Sequence, residues 1–152
     1  MKMRGFTLIE LIMVMVITGI LAAVVGPRFF DRQVFDERLF FEESIGAVRY
    51  AQKLALASGC RVQVNLGAGG YSLRRDASCG TNSAASYSAQ VLGADGQLYA
   101  DTPPPSGVLV TANNFPVVFD SLGLPTPAVA ASATVGSFSL SVVATTGLVQ
   151  SP

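Results

Sequence analysis

The sequence predicts an α+β protein: a long N-terminal helix, membrane-spanning in its first half and amphipathic in its second, packed on an antiparallel β-sheet. Three observations lead there. Residues 6 to 26 hold one charge, Glu10. Residues 29 to 57 place apolar side chains at helical spacing. From residue 61 onward, short alternating runs are separated by glycine, proline and serine.

The apolar run comes first. As a helix, its 21 residues would extend about 31 Å, which matches a hydrocarbon core of about 30 Å. Lys2 and Arg4 precede it, so the positive-inside tendency keeps the N-terminus cytoplasmic and sends the rest of the chain across the membrane. A cleaved secretory signal fits poorly: the run is too long and contains Glu10, and Pro27 spoils the Ala22-Ala23-Val24 cleavage zone. A plain single-span anchor leaves Glu10 unexplained, because a carboxylate inside a span marks a function or a partner.

Gly26-Pro27 interrupts the helical pattern. A proline in a helix loses one hydrogen bond and clashes with the preceding turn, at about 3 kcal/mol, so a kink is expected at Pro27. Periodicity resumes over 29–57. Asp31, Arg38, Glu42, Arg49 and Lys53 share a polar face. Phe30, Val34, Phe41, Ile45, Val48 and Ala55 form an apolar stripe, with Phe29, Phe40, Ala51 and Leu54 beside it. Such a helix needs cover from its own domain on one side and leaves another side for neighbouring subunits. Ser58-Gly59 is a suitable stop.

Strands follow. Residues 61–66 and 71–75 alternate on either side of Gly67-Ala68-Gly69-Gly70 and read as a β-hairpin. Cys60 and Cys79 bracket it, so a disulfide is expected if the domain lies outside the cytoplasm. In the chain-entropy treatment that loop closure contributes about 3 kcal/mol. Residues 80–107, rich in Ser, Ala, Gly and Pro, read as a loop with little regular structure. Residues 108–111, 117–119, 138–143 and 148–149 are short β-type runs, with turns at 120–123 and 145–147.

Composition narrows the chemistry. The 152 residues carry no net charge; all ten Lys and Arg lie at or before Arg75, and no ionisable side chain follows Asp120. There is no histidine, so a Ser-His-Asp or Cys-His nucleophile and the usual zinc sites are excluded. Two cysteines are too few for a four-sulfur site, and no metal, cofactor or catalytic residue is expected. Asp95, Asp101 and Asp120 each sit beside Gly, Pro or Ser, where turn chemistry accounts for them. Tyr50, Tyr71, Tyr87 and Tyr99 are assigned to packing rather than to a carbohydrate surface. Beyond the membrane-proximal helix the basic residues are Arg61, Arg74 and Arg75, too few to argue for nucleic acid, whose binding requires neutralising several phosphates.

Gly5-Phe6-Thr7-Leu8-Ile9-Glu10, with a short basic leader before it and an apolar run after it, resembles the type III signal of type IV prepilins and secretion pseudopilins. The resemblance implies a type IV pilin fold, with leader peptide 1–5, transmembrane and filament-core helix 6–28, and periplasmic domain 29–152 (amphipathic helix 29–57, β-rich 60–152). It implies that prepilin peptidase cleaves between Gly5 and Phe6 and that Phe6 is N-methylated. Pilins also carry a proline at the distance of Pro27. Cleavage would create an ammonium four residues before Glu10, on the same helix face, able to pair with Glu10 in one chain or in a neighbour. Glu10 is therefore the expected assembly residue. "VRYAQKLALASGCRVQV" (48–64) and "VVFDSLGLP" (117–125) resemble the GspH/FimT group of minor pseudopilins and pilins. "PRFFDRQVFDE" and "RYAQKLALASGC", from 27 and 49 onward, are similar to the minor prepilins of mannose-sensitive haemagglutinin pili. What this implies is a structural subunit of the bacterial inner membrane and then of a pilus. Its partners would be other pilin subunits, prepilin peptidase and an inner-membrane assembly platform. A type II secretion pseudopilin of GspH type and a FimT-like DNA-uptake pilin are the alternatives.

Overall fold

A computed structural model describes residues 7–25, 32–79, 85–93, 96, 98–99 and 102–151. The chain divides into two compact units, Met1–Arg32 and Gln33–Pro152. The expected cleavage site at Gly5 and Phe6 and the expected kink at Pro27 lie outside the described residues, as do Phe29, Phe30, Asp31, Asp95 and Asp101.

The first unit holds α1, Leu8–Val25, 18 residues and about 27 Å long. Its described side chains are exposed, as expected for a helix with an apolar residue on every side. Thr18 donates its hydroxyl to the Val14 carbonyl at 2.8 Å, satisfying inside the helix one of the few polar side chains it carries. No helix among the described residues is long and apolar enough to cross a membrane. The expected span began at Phe6 and ended at Gly26, both outside the described residues.

The second unit opens with α2, Arg32–Ser58. Phe40, Phe41, Ile45, Ala47, Val48, Ala51 and Ala55 are buried along one face, and Ser44 among them donates to the Phe40 carbonyl at 2.8 Å. The alanines at 47, 51 and 55 follow one another at helical spacing and let strands approach closely. Val34, expected in this stripe, is 51% exposed, and Leu54 is half-buried. The stripe is covered only from Phe40 onward, because the first two turns of α2 extend past the buried core. At the C-terminus Gly59 takes φ +67°, and its N–H bonds the Ala55 carbonyl at 3.0 Å, a left-handed stop for which glycine is suited.

The expected helix packed on antiparallel β-structure is present, and among the described residues eight strands form two four-stranded sheets. The first has the order β3-β2-β1-β5, from β1 Val62–Gly67, β2 Gly70–Arg75, β3 Ala89–Gln90 and β5 Val117–Phe119. The second has the order β4-β6-β7-β8, from β4 Val110–Asn113, β6 Ala131–Val135, β7 Phe138–Val142 and β8 Val149–Gln150. All pairings are antiparallel. β1 and β2 pair from Val62↔Arg75 to Gly67↔Gly70, leaving a two-residue turn. Gly70 has φ +101°, and a Cβ there would collide with the Thr102 carbonyl, whose oxygen accepts the Tyr71 N–H at 3.1 Å.

Two strands escape the sequence reading. β3 is two residues long and lies inside the expected 80–107 loop. β6, Ala-Ser-Ala-Thr-Val, alternates buried and exposed, but alanine, serine and threonine give little hydrophobic contrast. One core joins α2 to both sheets, with Phe40, Leu66, Leu73, Phe119 and Leu140 nearly or fully buried. Each such side chain contributes about 1.5–3 kcal/mol. Phe41 stacks on Phe138 at 5.2 Å between ring centres, fastening α2 to β7.

Candidate functional site

At the start of α1, Thr7 and Glu10 form a closed pair. The Thr7 N–H donates to Glu10 Oε2 at 3.0 Å, and the Thr7 hydroxyl donates to the same oxygen at 2.9 Å. In return the Glu10 N–H donates to Thr7 Oγ1 at 3.3 Å. This is a capping box, in which the N-cap side chain and the acid three residues later satisfy each other's orphan N–H groups. The Glu10 carboxylate therefore points back along the helix toward the Phe6 side of Thr7. The sequence reading assigns Glu10 to an ammonium and misses this second partner. The signal is legible, since Thr-x-x-Glu before an apolar run is the capping-box pattern.

Beyond α2, the structure closes a disulfide between Cys60 and Cys79, with Cα atoms 5.1 Å apart. Cys60 is buried and Cys79 is exposed. The segment carrying Cys79 is also held by Asp76, which is buried. The Asp76 N–H continues the β1–β2 ladder to the Arg61 carbonyl at 2.9 Å. Its carboxylate accepts the Ser78 N–H at 2.9 Å and the Ser86 N–H at 3.0 Å. The hydrogen bond from Ser86, then that from Ser78, holds the Asp76 carboxyl below the usual range.

Around the disulfide is a polar groove of about 320 Å³ lined by Arg61, Asp76 and Asp120 among others. Its acids are committed to backbone. Asp120 accepts the N–H groups of Leu122 and Leu124, both at 2.9 Å, and so shapes its turn. Among the described residues no group of three or more potential ligands could hold a metal ion.

Three of the tyrosines form a packed cluster. Tyr50 and Tyr99 stack at 5.3 Å between ring centres, and Tyr71 lies 6.2 Å from Tyr99 and 5.6 Å from Phe40. The Tyr50 hydroxyl donates to the Leu92 carbonyl at 2.6 Å. Burial raises the Tyr71 and Tyr99 phenols above their ordinary values. The cluster secures Leu92 and Tyr99 against Tyr50 of α2 and Tyr71 of β2. Arg61 and Arg75 are exposed, while Arg74 is half-buried with its guanidinium donating to the Leu73 carbonyl at 3.2 Å.

Residues 1–26 match the family described as the prokaryotic N-terminal methylation motif. Over 55 residues the chain is 44% identical to the type IV narrow pilus major component PilA5 of Thermus thermophilus. That match covers 36% of this chain and 47% of the relative, so the chain spans about half the length of the curated relative it matches. The fold is similar to crystal structures of the type IV minor pilin FimU from Pseudomonas aeruginosa. One crystal form gives a TM-score of 0.56 at 15% identity, covering 76% of this chain and 87% of that one. The other gives 0.53 at 15% identity, covering 76% and 91%. A match to an N-terminal methylation motif thus precedes a fold similar to that of a type IV minor pilin.

Proposed function

We propose that this protein is a minor pilin, a structural subunit that prepilin peptidase cleaves after Gly5 and methylates at Phe6. The observation that carries the reading is the methylation motif at residues 1–26 ahead of a pilin fold. Segment 6–28 spans the bacterial inner membrane once and later becomes the filament core. Domain 29–152 lies in the periplasm, where oxidising conditions maintain the Cys60–Cys79 disulfide. The filament is a type IV pilus of the mannose-sensitive haemagglutinin kind, with this subunit in the place of its minor prepilin MshC, in the shaft or in a tip complex. Other pilin subunits and the inner-membrane assembly platform are its partners.

The Thr7–Glu10 box supports the proposed role of Glu10. Among the described residues, Thr7 is what holds the carboxylate. After cleavage the charged amine of Phe6 stands one residue beyond the Thr7 N–H. A carboxylate already turned toward that end can pair with it, or with the amine of a neighbouring subunit, without moving far. In hydrocarbon an unpaired carboxylate is costly, so pairing would favour assembly in register. Mass spectrometry of the purified subunit tests the whole reading. The expected chain begins with N-methylated Phe6; an intact Met1 in cells with active prepilin peptidase would overturn it.

A further inference from the structure

The second sheet ends at β8, and the outer edge of that strand is open. Among the described residues β8 pairs with β7 alone, through Val142↔Val149 and Ser141↔Gln150. The Val143 N–H bonds the Leu148 carbonyl at 3.0 Å, and bonded pairs alternate along an antiparallel ladder. Val149 is therefore the residue whose N–H and C=O point away from β7. Among the described residues its N–H has no acceptor. Its carbonyl accepts from the guanidinium of Arg49, which reaches it from α2 at 3.4 Å. That bond is longer than the usual range of about 2.7–3.2 Å.

Arg49 is exposed, and among the described residues no carboxylate pairs with it. Its helical neighbours three and four residues away are Ile45, Gly46, Gln52 and Lys53, none of them an acid. No strand of the second sheet carries an ionisable residue. Arg49, Ser141, Gln150 and Ser151 line a groove of about 470 Å³ at this edge. An unsatisfied backbone N–H, a loosely held carbonyl and an unmatched cation thus share one place.

We infer that the β8 edge receives an extended segment of another protein that carries a carboxylate side chain. A backbone laid along β8 takes the Val149 N–H and C=O, the pairing used when a peptide adds a strand to a sheet. Arg49 decides which segments can do so. A carboxylate draws the guanidinium into a charge-assisted bond, stronger than its present one, and so frees the Val149 carbonyl for the incoming N–H. A neutral segment offers Arg49 nothing in exchange, and a basic one is repelled. The same side chain keeps the open edge from pairing indiscriminately. A second copy of β8 fits badly, because antiparallel pairing about Val149 brings two Arg49 guanidiniums to one seam.

Peptide titration of the full-length protein in detergent, read from backbone amide resonances, tests this. The probes are acetyl-Thr-Val-Xaa-Val-Thr-amide peptides in which Xaa is Glu, Gln or Lys. The Glu peptide should shift the Val149 amide and protect it from hydrogen exchange, with a Kd about fivefold below that of the Gln peptide. The Lys peptide should bind more weakly still. Arg49→Glu should reverse the order, favouring Lys over Glu, and Arg49→Ala should bind all three alike. An order unchanged by Arg49→Glu, or shifts that miss Val149, would overturn the proposal, as would no response to any peptide at millimolar concentration. Val149 shifts that grow with protein concentration in the absence of peptide would overturn it in favour of a second copy at this edge.

Discussion

Removing the Cys60–Cys79 bond should weaken the domain without unfolding it. The natural perturbation is Cys60→Ala, because Cys60 is buried, combined with Cys79→Ser, because Cys79 is exposed. The two cysteines are separated by 19 residues. Loop closure over that length corresponds to about 3 kcal/mol, most of it entropy removed from the unfolded chain. The folded state keeps other ties across the same loop. β1 and β2 pair along their whole length, and Asp76 holds Ser78 and Ser86 without help from sulfur. Far-UV circular dichroism of the double variant should therefore match that of the parent. For a unit of the size of Gln33–Pro152, 3 kcal/mol lowers the unfolding midpoint by about 10 °C. Thermal unfolding of the full-length protein in detergent, with and without reductant, measures it. Reduced parent and the double variant, which has no cysteine left, should converge. A fall of less than about 3 °C would refute the loop-entropy account, and a lost spectrum at room temperature would show that the hydrogen-bonded ties are insufficient.

Gly70→Ala should cost about 1–3 kcal/mol in chemical denaturation, because it adds a side chain at φ +101° against the Thr102 carbonyl. Gly69→Ala, with nothing within 4 Å, is the control expected to change little. Asp76 is depressed in the folded state, so its contribution is present above the ordinary aspartate range and disappears as pH falls through its folded value. Asp76→Asn should flatten the acid limb of a stability-against-pH curve; an unchanged acid limb would assign that loss to other carboxylates. Glu10→Gln should leave subunit levels near those of the parent while lowering filament yield, read by shearing and immunoblot. Filaments at parental yield would remove Glu10 from assembly.

What can be read from the sequence follows from the strength of each local signal. The β1–β2 hairpin alternates cleanly and turns on glycine, so one plausible pairing exists. The apolar face of α2 is equally legible from Phe40 to Ala55, where every fourth or third position is apolar. Val34 shows the limit: periodicity tells which way a side chain faces but not whether anything lies opposite. β6 shows another, since its inward residues are alanines as well as valine and its outward ones are small. That the strands divide into two sheets depends on pairings such as Val62↔Phe119 and Val110↔Val135, which join residues far apart in the chain. No local window contains that information. At the N-terminus the acid is conspicuous and its prospective partner can be inferred, while its present partner, Thr7, is easily overlooked. A charge in an apolar run draws the eye to other charges, and away from hydroxyl and amide donors three residues distant.

The capping box also bears on why position 10 holds an acid rather than an amide. Glutamine serves at the third position of a capping box much as glutamate does, returning a side-chain oxygen to the N-cap N–H. If starting α1 were the only requirement, Glu10→Gln would satisfy it, and a neutral side chain would sit more comfortably among Leu8, Ile9, Leu11 and Ile12. The carboxylate is worth its desolvation only where a cation comes within reach. α1 holds none, and the nearest that cleavage after Gly5 would supply is the Phe6 amine, next to the N–H that Glu10 already engages. Helix initiation and the proposed charge pairing would thus fall on one side chain, and the amide variant would separate them, because it keeps the first and deletes the second.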